Sequence, residues 1–184
     1  MKKVCFIFFS CMILCSAVFA QQSARKVVPL EDNWKFIRED VPGAEKPEFK
    51  DAGWRLLSVP HDWSIEGPYD RSNSTGRGGG YLPAGIGWYR KTCNIPKEDA
   101  GKKISIEFDG IMANSDVWIN GKHLGHRPNG YVGFRYDLTP HIVPGKANVL
   151  AVRADNSLQP ASRWYTGAGI YRHVRLVTSN QVHI

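Results

Sequence analysis

The stretch KISIEFDGIMANSDVWINGKHLG, residues 103–125, decides the fold. In its first six residues Ile104, Ile106 and Phe108 alternate with Ser105 and Glu107, so one side is apolar and the other polar. This is the period-two pattern of a half-buried strand. Further on, Val117-Trp118-Ile119 and His123-Leu124-Gly125 flank Asn120-Gly121. Asn-Gly tolerates the positive φ angles of a two-residue hairpin turn, so a second strand doubles back on a third. The same alternation predicts strands over Trp34–Arg38, Trp88–Ile95, Asp116–Asn120, Phe134–Leu138, Asn148–Asp155 and Arg172–Val177. No helical period of useful length interrupts them. Short strands separated by Gly and Pro at strand-length spacing predict an all-β chain, a jelly-roll-like antiparallel β-sandwich.

The ends carry a different pattern. Met1-Lys2-Lys3 is basic, Val4 to Val18 is mostly apolar, and Ala17-Val18-Phe19-Ala20 places small residues where a signal peptidase cuts. Residues 1–20 therefore read as a secretory signal cleaved after Ala20, too short for a membrane span. A lipoprotein anchor at Cys11 or Cys15 is the alternative, but Leu14 is bulky for the position before a lipidated cysteine. With 20 of the 184 residues removed, 164 remain, and of four cysteines only Cys93 is kept, so no internal disulfide is expected. Stability must then come from a packed core, which this length allows.

Loss of Lys2 and Lys3 lowers the formal charge from +7 to +5, and the remaining cations are scattered among acids. Nucleic-acid binding, which needs clustered cations on one face, is not expected. Residues 21–180 read as one domain. Gln181-Val182-His183-Ile184 reads as the opening of a further segment, with Ile184 a truncation point or the product of a split coding region.

Candidate chemistry lies in the loops. Ser157 to Ile170 is a polar, aromatic, glycine-broken stretch running into the last strand, and such loops on a rigid frame concentrate binding residues. Glu66–Gly87 is a long connection of the kind that is functional or disordered in a compact domain. Its run Gly76–Gly80 neither follows a strand nor opens a helix, which excludes a phosphate loop and leaves a flexible one. His123 and His126, three apart on a strand, are expected on opposite faces, which argues against a shared metal. No cofactor is expected. Asn73-Ser74-Thr75 fits a glycosylation triplet, of consequence only in a host that reads it. The acids Asp62, Glu66, Asp70, Glu107, Asp109 and Asp116 show no sequence sign of converging as a catalytic pair.

Val59-Pro60-His61-Asp62-Trp63, Gly79 to Arg90 and Ser157 to Val177 together resemble the N-terminal sugar-binding domain of glycoside hydrolase family 2, the β-galactosidase and β-glucuronidase family. The resemblance runs from about Asp32 to Val177. It implies a galactose-binding-domain-like sandwich whose loops complete the sugar pocket of a separate (β/α)₈ barrel. That barrel takes about 250 residues and carries both catalytic glutamates, so this chain alone should be catalytically silent. It further implies an Ig-like domain as neighbour, a β-galactoside-like glycan as ligand, and β-galactosidase rather than β-glucuronidase or β-mannosidase type. Asp62 stands where the family places an Asn or Asp reaching for sugar, and Arg163 where it places a polar residue facing substrate. Trp164 or Tyr165 could stack on a pyranose.

Gly167, Gly169 and Arg172 read as structural, Arg172 tying its strand to a neighbouring acid. Cys93 and Arg175 depart from the family pattern within strands, and Arg175 leaves the geometry of the adjoining surface open. Two other readings stay open: a free-standing carbohydrate-binding module, and a structural spacer. Trp34, Trp54, Trp88 and Trp118 read as core, which leaves a module only Trp63, Trp164 and Tyr165 as its platform.

Overall fold

The structure is a computed structural model, and it describes residues 25–182. The segment read as a signal lies outside the described residues. Ten strands follow in order: β1 (Arg25–Pro29), β2 (Trp34–Ile37), β3 (Arg55–Leu57), β4 (Ile86–Asn94), β5 (Lys103–Phe108), β6 (Ser115–Ile119), β7 (Lys122–Arg127), β8 (Phe134–Asp137), β9 (Ala147–Asp155) and β10 (Val174–Ser179). They form two antiparallel sheets, one ordered β1-β10-β5-β8 and the other β3-β2-β4-β9-β6-β7. The expected sandwich is the observed one. Among the described residues no helix is long and apolar enough to cross a membrane.

The core lies between the sheets. Ile104, Ile106 and Phe108 of β5 meet Tyr89 and Cys93 of β4, Val117 and Ile119 of β6, and Leu150 and Val152 of β9. Burial pushes the Cys93 thiol up to about 11. Alternation turns the intervening residues of β4, β6 and β9 outward, where Trp88, Ala151 and Trp118 form a second, smaller cluster with Ala44, Val41 and Trp54. Residues 38–54 cross that outer face and are tied to it by Arg90, which is 2% exposed. Its Nε donates to Asp51 Oδ2 at 2.9 Å, Nη1 to the carbonyls of Ala44 and of Lys46 (3.0 Å), and Nη2 to that of Pro47 at 3.5 Å.

Four expectations need correction. The last strand starts at Val174 instead of Arg172, because Tyr171 N–H is still bonded within the preceding turn, to Gly169 O at 3.0 Å. Strands β1 and β3 carry no alternation signal: β1 is exposed throughout and β3 has three residues. His123 and His126 do not diverge. The register between β6 and β7 slips at Val117/Trp118, so Leu124 is an extra residue, and both imidazoles reach one carboxylate, Asp116, at 2.8 and 3.1 Å. Among the described residues no group of three or more His, Cys, Asp or Glu side chains is arranged to hold a metal ion.

Gly76–Gly80, finally, is a hydrogen-bonded series of turns. Gly79 N–H bonds Thr75 O, Tyr81 N–H bonds Gly76 O, and Thr75 Oγ1 donates to Leu82 O at 2.7 Å. The Asn73 amide of the glycosylation triplet is spent on this loop, donating to Pro68 O and Tyr81 O.

Candidate functional site

Four connections meet at one end of the sandwich: the long loop between β3 and β4, residues 109–114 after β5, residues 128–133 between β7 and β8, and residues 156–173 between β9 and β10. Backbone bonds stitch them together. His61 N–H reaches Ile170 O at 2.8 Å, and Met112 and Gly169 exchange N–H···O bonds of 2.9 and 2.7 Å. The buried Asn156 is a cross-brace: its Oδ1 accepts from Gly85 N–H at 2.9 Å and its Nδ2 donates to Gly167 O at 3.2 Å. Ser162 O lies so close to Gly78 that a Cβ there would sit 3.0 Å from it.

A polar network supports this end from below. His61 contacts Tyr89 Oη through Nδ1 at 2.8 Å and Glu66 Oε1 through Nε2 at 3.1 Å, while Arg55 Nη2 donates to both Glu66 oxygens at 2.8 and 3.0 Å and lies 2.8 Å from His61 Nε2. Tyr89 Oη in turn accepts Ile170 N–H. Trp63, next to Asp62, is fully buried between Phe36 and Tyr89, which removes it from any surface platform.

Burial pushes His61 below its ordinary value near 6.5, against the opposing pull of Glu66. An unfolded chain therefore takes up this proton first as pH falls. The stabilising contribution is complete above about pH 6.5 and is lost as pH drops toward the lower folded value. Glu66 is held below the usual carboxylate range, burial being outweighed by Arg55 and His61, so its contribution is lost only at more acid pH. We expect the urea midpoint to fall between pH 7 and 5, and His61→Gln to flatten that part of the profile. An unchanged slope in the variant would assign the pH dependence elsewhere.

Above this network stand the residues singled out by sequence. Asp62 is half-buried. Its Oδ1 accepts Ser64 N–H at 3.0 Å, so the turn-stabilising role is real, and its Oδ2 takes the Tyr165 hydroxyl. Burial and the facing carboxylate push the Tyr165 phenol well above its ordinary range, so it remains a donor. Each carboxylate oxygen has a second lone pair for a further donor. Tyr165 thus presents a polar pair with Asp62. Trp164 is 62% exposed. Arg163 is exposed and has no polar partner among the described residues.

Arg172 does not bind an acid. It donates to the carbonyls of Asp109 and Tyr131 at 3.4 and 3.3 Å, and Arg175 instead forks the Asp109 carboxylate at 2.7 and 2.6 Å. The other acids are matched to donors as well: Glu66 to Arg55, Asp70 to Ser72, Glu107 to Arg25, and Asp116 to two histidines. Sequence reasoning missed Tyr131, Asn156 and His61, whose roles depend on loops meeting in space. The one local hint was the position of His61 beside Asp62.

A β-sandwich that gathers a carboxylate, a phenol, an unpaired arginine and an exposed indole at one loop end has the equipment of a carbohydrate-binding domain. The family model described as "Glycosyl hydrolases family 2, sugar binding domain" matches residues 80–180. A β-galactosidase of Bacteroides ovatus, BoGH2A, is 51% identical over 88% of this chain and 19% of its own length. A putative β-glucuronidase of Formosa agariphila is 46% identical over 94% of this chain and 16% of its own. The crystal structure of a β-glycosidase from Bacteroides vulgatus superposes with a TM-score of 0.81 at 49% identity, covering 84% of this chain and 20% of that one. The chain belongs to glycoside hydrolase family 2, as its N-terminal sugar-binding domain. It spans about a fifth of the length of the relatives it matches.

Proposed function

We propose that this domain forms one wall of the sugar pocket of a larger, exported, retaining β-galactosidase-like glycosidase. In this reading Asp62 and Tyr165 bind ring hydroxyls and Arg163 faces the substrate. The two catalytic carboxyls come from a (β/α)₈ barrel docked on the same loop end, with an Ig-like domain between. The segment 1–20 would direct export. The observation that carries the reading is the Asp62–Tyr165 pair, braced from below and presented on the loop end beside the exposed Arg163 and Trp164. Its supports are the family membership and the β-galactosidase among the relatives.

The test begins with the nucleotide sequence beyond the Ile184 codon, translated in three frames. A barrel with two glutamates is expected there. In the enzyme so defined, Asp62→Asn is expected to lower kcat/KM for an aryl galactoside roughly 10- to 100-fold, the worth of a hydrogen bond to a charged group. Absence of a barrel in every frame, or an unchanged kcat/KM, would overturn the reading. The exposure of Trp164 favours a second reading, a module that binds glycans by itself. Binding by the 184-residue chain tighter than millimolar would select it.

A further inference from the structure

Trp164 shares its loop end with a second exposed aromatic that no sequence pattern marked. Tyr131 is 48% exposed, and the Trp164 Nε1–H donates to its Oη at 3.3 Å. Among the described residues neither ring stacks on another ring, so their faces are not spent on each other. The remaining tryptophans are buried or half-buried. An exposed indole and phenol joined across two loops is a feature that ordinary surface composition does not require.

The loop that carries Tyr131 is built to hold it. Tyr131 N–H bonds Asn129 Oδ1 at 2.8 Å, Tyr171 Oη–H bonds Gly130 O at 2.9 Å, and Arg172 donates to Tyr131 O at 3.3 Å. Gly130 is pressed on Met112 so tightly that a Cβ would lie 2.5 Å from its sulfur. On the other side Trp164 N–H bonds Ser162 Oγ at 3.2 Å. Pinned aromatics lose little freedom when a ligand lands on them.

We propose that Tyr131 and Trp164 form a second saccharide platform that takes a further pyranose ring of an oligosaccharide whose neighbouring ring is held at Asp62–Tyr165. Trp164 and Tyr165 are consecutive, yet their side chains reach different partners, Tyr131 and Asp62. The two positions therefore grow from adjacent residues of one loop, whose Cα atoms are about 3.8 Å apart, and a glycan of more than one ring is the ligand suited to both. Aromatic faces match the apolar face of a pyranose, and the Tyr131 hydroxyl and the exposed guanidinium of the neighbouring Arg163 are of the chemistry that hydrogen-bonds its hydroxyls. The substrate class is then an oligosaccharide or polysaccharide, and Tyr131 is a specificity-determining residue. The proposal rests on the reading of Asp62–Tyr165 as a sugar contact.

The experiment titrates the 184-residue chain with galactose, β-1,4-galactobiose and β-1,4-galactotetraose while following the indole N–H resonances, that of Trp164 assigned with Trp164→Ala. All three sugars are expected to bind the isolated chain at millimolar or weaker affinity, the two longer ones moving the Trp164 resonance and binding roughly 3- to 10-fold tighter than galactose. Tyr131→Ala is expected to abolish that advantage without changing galactose binding, and Tyr131→Phe to retain most of it. Asp62→Asn is expected to weaken all three sugars.

A length advantage that survives Tyr131→Ala overturns the platform. So does a Trp164 resonance that no sugar moves, as when another part of a larger protein is the true occupant of the patch. Galactose binding that needs Asp62 but shows no length advantage overturns the platform and leaves the pocket reading intact. A length advantage lost in Tyr131→Ala but insensitive to Asp62→Asn supports the platform and overturns the pocket reading.

Discussion

Replacing Gly169 with alanine is expected to destabilise the domain by about 2–5 kcal/mol. Gly169 has φ +81°, a backbone conformation that costs an L-residue roughly 1–2 kcal/mol. A Cβ there would also sit 2.1 Å from Tyr89 Oη and 2.8 Å from two ring atoms of Trp63. Both of those side chains are fully buried, and Tyr89 is hydrogen-bonded to His61, so neither can step aside. Overpacking of such a site adds about 1–3 kcal/mol.

Gly43 supplies the control. It has φ +85°, but a Cβ there would meet nothing within 4 Å, so Gly43→Ala should show only the backbone cost. Urea unfolding of both variants measures the difference. Equal losses would show that the Tyr89–Trp63 floor yields, and would remove the case for a rigid base beneath Asp62 and Tyr165.

Arg90→Met should be nearly as damaging, by about 3 kcal/mol. Removing one member of a buried ion pair usually costs about 3–5 kcal/mol, because the other is left uncompensated. Here the low end applies, since Asp51 keeps Lys35 at 2.6 Å and is partly exposed. The larger loss is at the carbonyls of Ala44, Lys46 and Pro47, which share the Arg90 guanidinium. For a domain of this size that corresponds to a fall in Tm of roughly 6–12 °C. Residues 38–54 should also become the first site of limited proteolysis, as their clamp on the outer sheet face is gone. A normal Tm with unchanged proteolysis would mean that Trp88, Trp54 and Val41 hold the segment without it.

Much of this molecule was legible in the sequence because strands write themselves locally. Alternation in Lys103–Phe108 is both the cause of its half-buried face and the sign of it, and Asn120-Gly121 names its own turn through the φ values it tolerates, +50° and +77° here. The same locality located Asp62 and Tyr165 in motifs. Where the period broke, the reading broke with it. One extra residue in β7 turned His123 and His126 onto one carboxylate, and no rule of spacing announces a bulge in advance.

Residue chemistry and order along the chain thus determined an all-β sandwich, its turns, and Asp62, Arg163, Trp164 and Tyr165 as candidates. Only the tertiary structure decided that Trp63 is floor and not platform, that Arg90 clamps a distant loop, and that Tyr131 stands beside Trp164. The reason is physical. Strand faces and turns depend on neighbours in sequence, whereas burial and contact across loops depend on which segments the two sheets bring together.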